Sequence, residues 1–121
     1  MVVDQLSDAE VDRLFHALAD ATRRDILRRV LDGEFSVSEL ARDYPMSVTA
    51  VQKHVAVLEE AGLVIKRRQG REQRVTGQLD AVVRARRTLD QYENVWRGRA
   101  DRMGALLAQD PETDDRKAAT P

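Results

Sequence analysis

The sequence predicts a mainly α-helical domain that carries one small β-hairpin and ends in a long helix. Three observations predict it: capped apolar runs at helical spacing, a change of periodicity after Gly62, and a proline-free stretch from Asp80 to Gln109. Ser7 with Glu10 three residues on is a capping box, after which Val11, Leu14, Phe15 and Leu18 recur at helical spacing. Asp20 reads as the next N-cap, followed by Ile26, Leu27, Val30 and Leu31, with Gly33 as the stop. Ser36 and Glu39 form a second box that opens a short helix through Val37, Leu40 and Ala41, and Pro45 ends the connection after it. Ser47 caps a further helix, whose core-facing residues are expected to be Val48, Val51, Val55 and Leu58, up to Ala61-Gly62. Leu63-Val64-Ile65, the turn signal Gln69-Gly70-Arg71 and the pair Val75-Thr76 then read as a two-stranded hairpin. Such a hairpin is marginal alone and needs the helices to lean on.

The short helix and the one after it, joined by about four residues, have the size of a helix-turn-helix. With the hairpin behind them the order is that of a winged helix-turn-helix domain with a long C-terminal dimerisation helix. It is expected to fill residues 1–109, with dimerisation helices at about 8–19 and 80–108. Residues 110–121 contain no apolar side chain larger than alanine and are expected to form a disordered acidic tail.

Charge sharpens this. The 20 Lys and Arg against 21 Asp and Glu leave a net charge of −1, which by itself argues against nucleic acid. The average hides a segregation. Residues 1–12 hold four acids and no base, and residues 109–121 hold four acids against Arg116 and Lys117. Residues 64–87 instead carry Lys66, Arg67, Arg68, Arg71, Arg74, Arg84, Arg86 and Arg87 against Glu72 and Asp80, a balance of +6 in 24 residues. The absence of cysteine removes disulfides, thiolate metal sites and thiol chemistry. No apolar run approaches the ~18 residues of a membrane span, and the opening Met-Val-Val-Asp-Gln is not a signal peptide, so a cytoplasmic protein is expected.

In the long helix, Val82, Leu89, Trp96 and Met103 recur every seven residues, with Ala85, Tyr92, Arg99 and Leu106 beside them. This is a seam for helix-on-helix packing. A helix of roughly thirty residues is a rod of about 45 Å, longer than a small head covers. A homodimer is therefore expected, with Leu14 of the first helix joining Val82, Leu89, Tyr92, Trp96, Met103 and Leu106 at the interface.

Three stretches resemble ArsR-type bacterial repressors: Ala17-Leu18-Ala19-Asp20-Ala21-Thr22-Arg23-Arg24-Asp25-Ile26-Leu27, Ser36-Val37-Ser38-Glu39-Leu40-Ala41, and Val51 to Val64 with its Lys53-His54-Val55. The resemblance covers roughly residues 11–107. It implies a repressor that binds double-stranded DNA as a homodimer and blocks polymerase at its own or a neighbouring promoter. A recognition helix at 47–60 would enter the major groove, where first-turn side chains reach base edges. Thr49, Gln52 and Lys53 share one face. Gln52 suits an adenine edge, Lys53 a guanine edge or a phosphate, and Thr49 a thymine methyl or a phosphate. Ser47 caps the helix, whose N–H groups also suit a phosphate. His54 is structural or close to DNA. In the wing at 64–75, Arg67, Arg68, Arg71 and Arg74 are expected on phosphates or in the minor groove. Arg84, Arg86 and Arg87 divide evenly between that role and a solvated face. Related proteins often carry arginine and proline at the positions of Val48 and Thr49, and serine at that of Gln52, which leaves the operator sequence open.

The same resemblance implies metal sites of cysteines, or of Asp and His pairs, that this chain does not reproduce. His16 and His54 are its only histidines, and Asp90, Glu93 and Asp101 have no imidazole companion. No metal and no cofactor is expected, and the inducer, if any, is not named by the residues. Phosphate-loop, nucleophile-elbow and zinc-hydrolase motifs are missing, so an enzyme is not expected. Two other readings stay open: an interaction module whose winged head no longer binds DNA, and a sensor of a small organic ligand.

Overall fold

The computed structural model describes residues 6–108. Its elements are α1 (Asp8–Leu18), α2 (Ala21–Asp32), β1 (Phe35–Ser36), α3 (Val37–Ala41), α4 (Val48–Glu60), β2 (Val64–Gln69), β3 (Glu72–Gly77) and α5 (Leu79–Ala108). Residue 109 and the expected tail at 110–121 lie outside the described residues.

The helix starts follow their caps. Ser7 Oγ accepts the Glu10 N–H while the Glu10 carboxylate accepts the Ser7 N–H, at 3.2 and 3.0 Å. Ser36 and Glu39 repeat the exchange at 3.1 and 2.8 Å. Asp20 accepts the Arg23 N–H and Ser47 Oγ the Ala50 N–H, so α2 and α4 each have one orphan donor satisfied by a side chain. At the end of α4, Gly62 adopts φ +76°; its N–H donates to the Glu59 carbonyl and that of Leu63 to Leu58. This is a Schellman turn, and it buries Leu63 beside Leu58 as the chain enters β2.

The expected hairpin is present but belongs to a three-stranded antiparallel sheet of order β1-β3-β2. Two residues before α3 pair with the return strand, Phe35 with Val75 and Ser36 with Arg74. The hairpin itself turns at Gly70, φ +63°, between the paired Gln69 and Glu72. Only the first central residue has positive φ, as in a type II′ turn.

Within residues 6–86, Leu14, Ile26, Leu27, Val30, Leu40, Val51, Val55, Leu58, Val64 and Val75 form one core, closed by Ala81 and Ala85 of α5. Three expectations are corrected here. Val48 does not face this core: at the first position of α4 it projects beyond it and is 46% exposed. Leu14, expected at a dimer interface, is 3% exposed and packs inside the head, while Val82 is half-buried against the same cluster. The connection from α3 to α4 takes residues 42–47, longer than the four expected. It is fastened to α2, since the Tyr44 hydroxyl donates to Asp25 Oδ2 at 2.5 Å and Arg29 pairs with Asp43 at 2.7 Å. The Arg29 guanidinium also lies over the rings of Phe35 and Tyr44, at 5.0 and 5.5 Å. These contacts fix where α4 begins.

The stretch of α5 from Arg87 onward is a separate unit. Leu89, Tyr92, Val95, Trp96, Met103, Leu106 and Leu107 of this stretch are all exposed, Trp96 at 62%. Glu93 and Arg97 pair at 2.9 Å along the helix, and the Arg99 guanidinium lies 5.8 Å from the Trp96 ring centre. No described helix is long and apolar enough to cross a membrane.

Candidate nucleic-acid interface

The cap at Ser47 and the buried trio Val51, Val55 and Leu58 set the rotation of α4. With those residues inward, Thr49, Gln52 and Lys53 are exposed on the outer face, as the spacing requires. Thr49, Gln52 and Lys53 line one side of a cleft of about 440 Å³, and Lys66 and Gln73 of the wing line the other. The helix and the hairpin thus present polar groups to one shared space. Lys66 reaches across to pair with Glu59 of α4 at 3.3 Å, a strut that holds strand β2 against the helix. Gln73 is the cleft residue that the sequence pattern did not single out. Its signal is positional only, since it pairs with Arg68 in the hairpin register.

The basic residues of the wing divide into two groups. Arg67, Arg68 and Arg71 surround the exposed tip, and among the described residues none has a carboxylate within ion-pair distance. Arg74 is different. Its Nε lies 3.1 Å from Glu34, and its Nη1 lies 3.2 Å from Glu39 and 3.1 Å from Glu72. The hydrogen bonds it donates to Glu34 and Glu72 raise its pKa above the ordinary arginine value. Three carboxylates from three places in the chain therefore neutralise it, and its geometry is that of a tie between β3, β1 and α3. The tie also lets Arg74 stand opposite Arg67 in the register, a like-charge pairing that is unfavourable uncompensated. Glu39 serves twice, since the same Oε1 that accepts the Ser36 N–H pairs with Arg74. The backbone bond from Ser36, then its hydroxyl, then nearby arginines hold the Glu39 carboxyl below the ordinary carboxylate range.

His54 is half-buried on the flank of α4 that meets the start of α2. The Arg23 Nη1 lies 3.3 Å from its Nδ1, and Asp20 Oδ2 lies 3.8 Å from the same atom. An arginine N–H only donates, so the contact with Arg23 is a hydrogen bond in the tautomer whose Nδ1 accepts. Arg23 also donates to the carbonyls of Ala17 and His16, both at 2.9 Å, and so closes the C-terminus of α1. His54 is a link in a chain from α4 through Arg23 to α1. Arg84 pairs with Asp80 one helical turn away at 3.2 Å. Among the described residues, no three His, Asp or Glu side chains converge as a metal site.

Comparison with known proteins identifies the family. Residues 18–67 match the family model described as a helix-turn-helix domain. The HTH-type transcriptional regulator Rv2034 of Mycobacterium tuberculosis is 51% identical over 59 residues, which cover 49% of this chain and 55% of that protein. The match thus spans about half the length of that relative. The uncharacterized HTH-type transcriptional regulator YuzN of Bacillus subtilis is 42% identical over 67 residues, covering 50% of this chain and 73% of that protein. Among solved structures, an ArsR-like transcriptional regulator from Rhodococcus sp. RHA1 superposes with a TM-score of 0.76 at 31% identity, covering 84% of this chain and 94% of that one. The homodimeric winged helix-turn-helix DNA-binding domain of Mb0332 from Mycobacterium bovis superposes with a TM-score of 0.57 at 28% identity, covering 74% and 91%. The chain belongs to the ArsR-type family of winged helix-turn-helix transcriptional regulators.

Proposed function

We propose that this chain is a homodimeric, sequence-specific DNA-binding repressor of its own or a neighbouring promoter, acting in the cytoplasm. The observation that carries the reading is the shared cleft: Thr49, Gln52 and Lys53 on α4 stand across from a wing whose tip holds Arg67, Arg68 and Arg71, none with a carboxylate in ion-pair distance among the described residues. In the major groove, Gln52 reads base edges, and Lys53 and the wing arginines hold phosphates on either side. Arg74 contributes by holding the wing in place. The exposed apolar side chains of α5 from Leu89 to Leu107 form the face that a second copy covers, which supplies two recognition helices to a two-fold operator. The homodimeric relative from Mycobacterium bovis supports that assembly.

A gel-shift titration on the chain's own promoter region with excess nonspecific competitor tests this. A retained complex supports the reading, and no shift even at low salt favours a protein-interaction module instead. A second reading, sensing of a small organic molecule, is favoured by a cavity of about 460 Å³ in the head. Leu6, Leu14 and Val64 supply apolar walls there, and Arg13 and Glu60 supply charges. Release of the DNA complex by one member of a metabolite panel supports it.

A further inference from the structure

The first turns of α4 leave one large apolar side chain in water, and it is not where the helix needs one. Val48 is 46% exposed, whereas Val51, Val55 and Leu58 of the same helix are fully buried. It follows the cap Ser47, adjoins Thr49, and lies four residues before Gln52, which places it on the flank of the helix that Gln52 occupies. Valine is a weak helix former and caps nothing, so the helix itself gains little from it at this position. A base methyl gives its two methyl groups something to bury against.

The chemistry of the neighbouring residues narrows the base. From Val48 to Val55 there is no carboxylate, the side chain that best accepts from the amino group of cytosine. Gln52 has the paired donor and acceptor that fit adenine, and Val48 with the Thr49 methyl offers apolar contact to the 5-methyl of thymine. Four residues of helix advance about 6 Å, less than two base steps of about 3.4 Å. We infer that Val48, with Thr49, reads a thymine methyl within two base pairs of an adenine held by Gln52, so the sequence bound carries an A·T element under the N-terminal turns of α4. This rests on the DNA-binding reading above and adds the bases it prefers.

The test begins by selecting duplexes from a randomised pool with the intact chain. The selected duplex is then titrated with single thymines replaced by deoxyuridine, which deletes only the methyl. For the wild-type chain, replacing the one contacted thymine in one half-site lowers affinity by about 3–5-fold, the worth of one buried methyl. In V48S, whose melting temperature stays at the wild-type value because the site is exposed, the same replacement costs less than about twofold. A selected sequence with no further A·T pair within two base pairs of the enriched adenine overturns the inference. So does a uracil effect that is absent in the wild type, or equal in wild type and V48S. A pool that yields no duplex bound better than shuffled DNA instead overturns the DNA-binding reading itself.

Discussion

Arg74 Nη1 lies 3.2 Å from the Oε1 of Glu39, so the return strand of the wing is tied to the capping box of the first helix of the helix-turn-helix. A wing fastened in this way keeps a fixed angle to α4, whereas a free hairpin would pay an ordering cost on each encounter with a ligand. The role of Arg74 is therefore separable from that of the arginines at the tip.

Arg74→Gln removes the tie and leaves Glu34, Glu39 and Glu72 crowded without their cation. The expected result is a lower melting temperature and weaker DNA binding, with the slope of log affinity against log salt unchanged. Circular dichroism melting and a salt titration check it. A loss of about 0.9 in slope per subunit would place Arg74 on a phosphate instead.

Acid stability follows from the caps. Hydrogen bonds from Ser7, Arg23 and Ser36 hold the carboxyls of Glu10, Asp20 and Glu39 below their ordinary values. A carboxylate with a lowered folded-state pKa stabilises the fold above its unfolded value, and that stabilisation is lost as pH falls through the folded one. Melting temperature is thus expected to decline as pH drops below about 4.5, the ordinary glutamate value. Glu39→Gln lowers the neutral-pH melting temperature and makes the acid decline shallower; parallel curves for variant and wild type would contradict this.

Gly77 ends β3 directly over α2. A Cβ placed there meets Leu31 Cδ2 at 2.7 Å and the Leu31 backbone nitrogen at 3.0 Å, and backbone cannot step aside. Gly77→Ala is expected to cost about 1–3 kcal/mol in denaturant unfolding, the usual range for overpacking. A variant as stable as wild type would show that β3 and α2 separate freely.

The sole tryptophan, Trp96, reports assembly. It is 62% exposed in the single chain, so burial by a second copy is expected to shift its emission to the blue as concentration rises. Trp96→Glu is expected to sediment as a folded monomer at micromolar concentration. A wild-type chain that is monomeric there, with or without DNA, would remove the dimer from the account.

Most helix starts were legible because each is written locally. Ser7 with Glu10, Asp20, Ser36 with Glu39, and Ser47 all lie within three residues of the N–H groups they satisfy. Strand β1 was not legible, since two residues carry no period and their partner strand begins some forty residues later. Arg74 read as a DNA contact for a related reason. Its three carboxylates sit at 34, 39 and 72, and only the fold brings them together. Val48 kept the period of the core yet lies outside it, because the first turn of α4 extends past the residues that α4 packs against. The face of Thr49, Gln52 and Lys53 was readable from spacing, because a capped helix with Val51, Val55 and Leu58 inward has one outward side.

The most direct test of the central claim compares Gln52→Ala and Arg71→Ala on the selected site and on shuffled DNA across a range of salt. Gln52→Ala is expected to lose about 1–3 kcal/mol on the selected site and almost nothing on shuffled DNA, with an unchanged salt slope. Arg71→Ala is expected to weaken both DNAs alike and to flatten the slope by about 0.9 per subunit, about 1.8 for the homodimer. Equal, sequence-independent losses from the two variants would contradict the assignment of α4 to base reading and of the wing to the backbone.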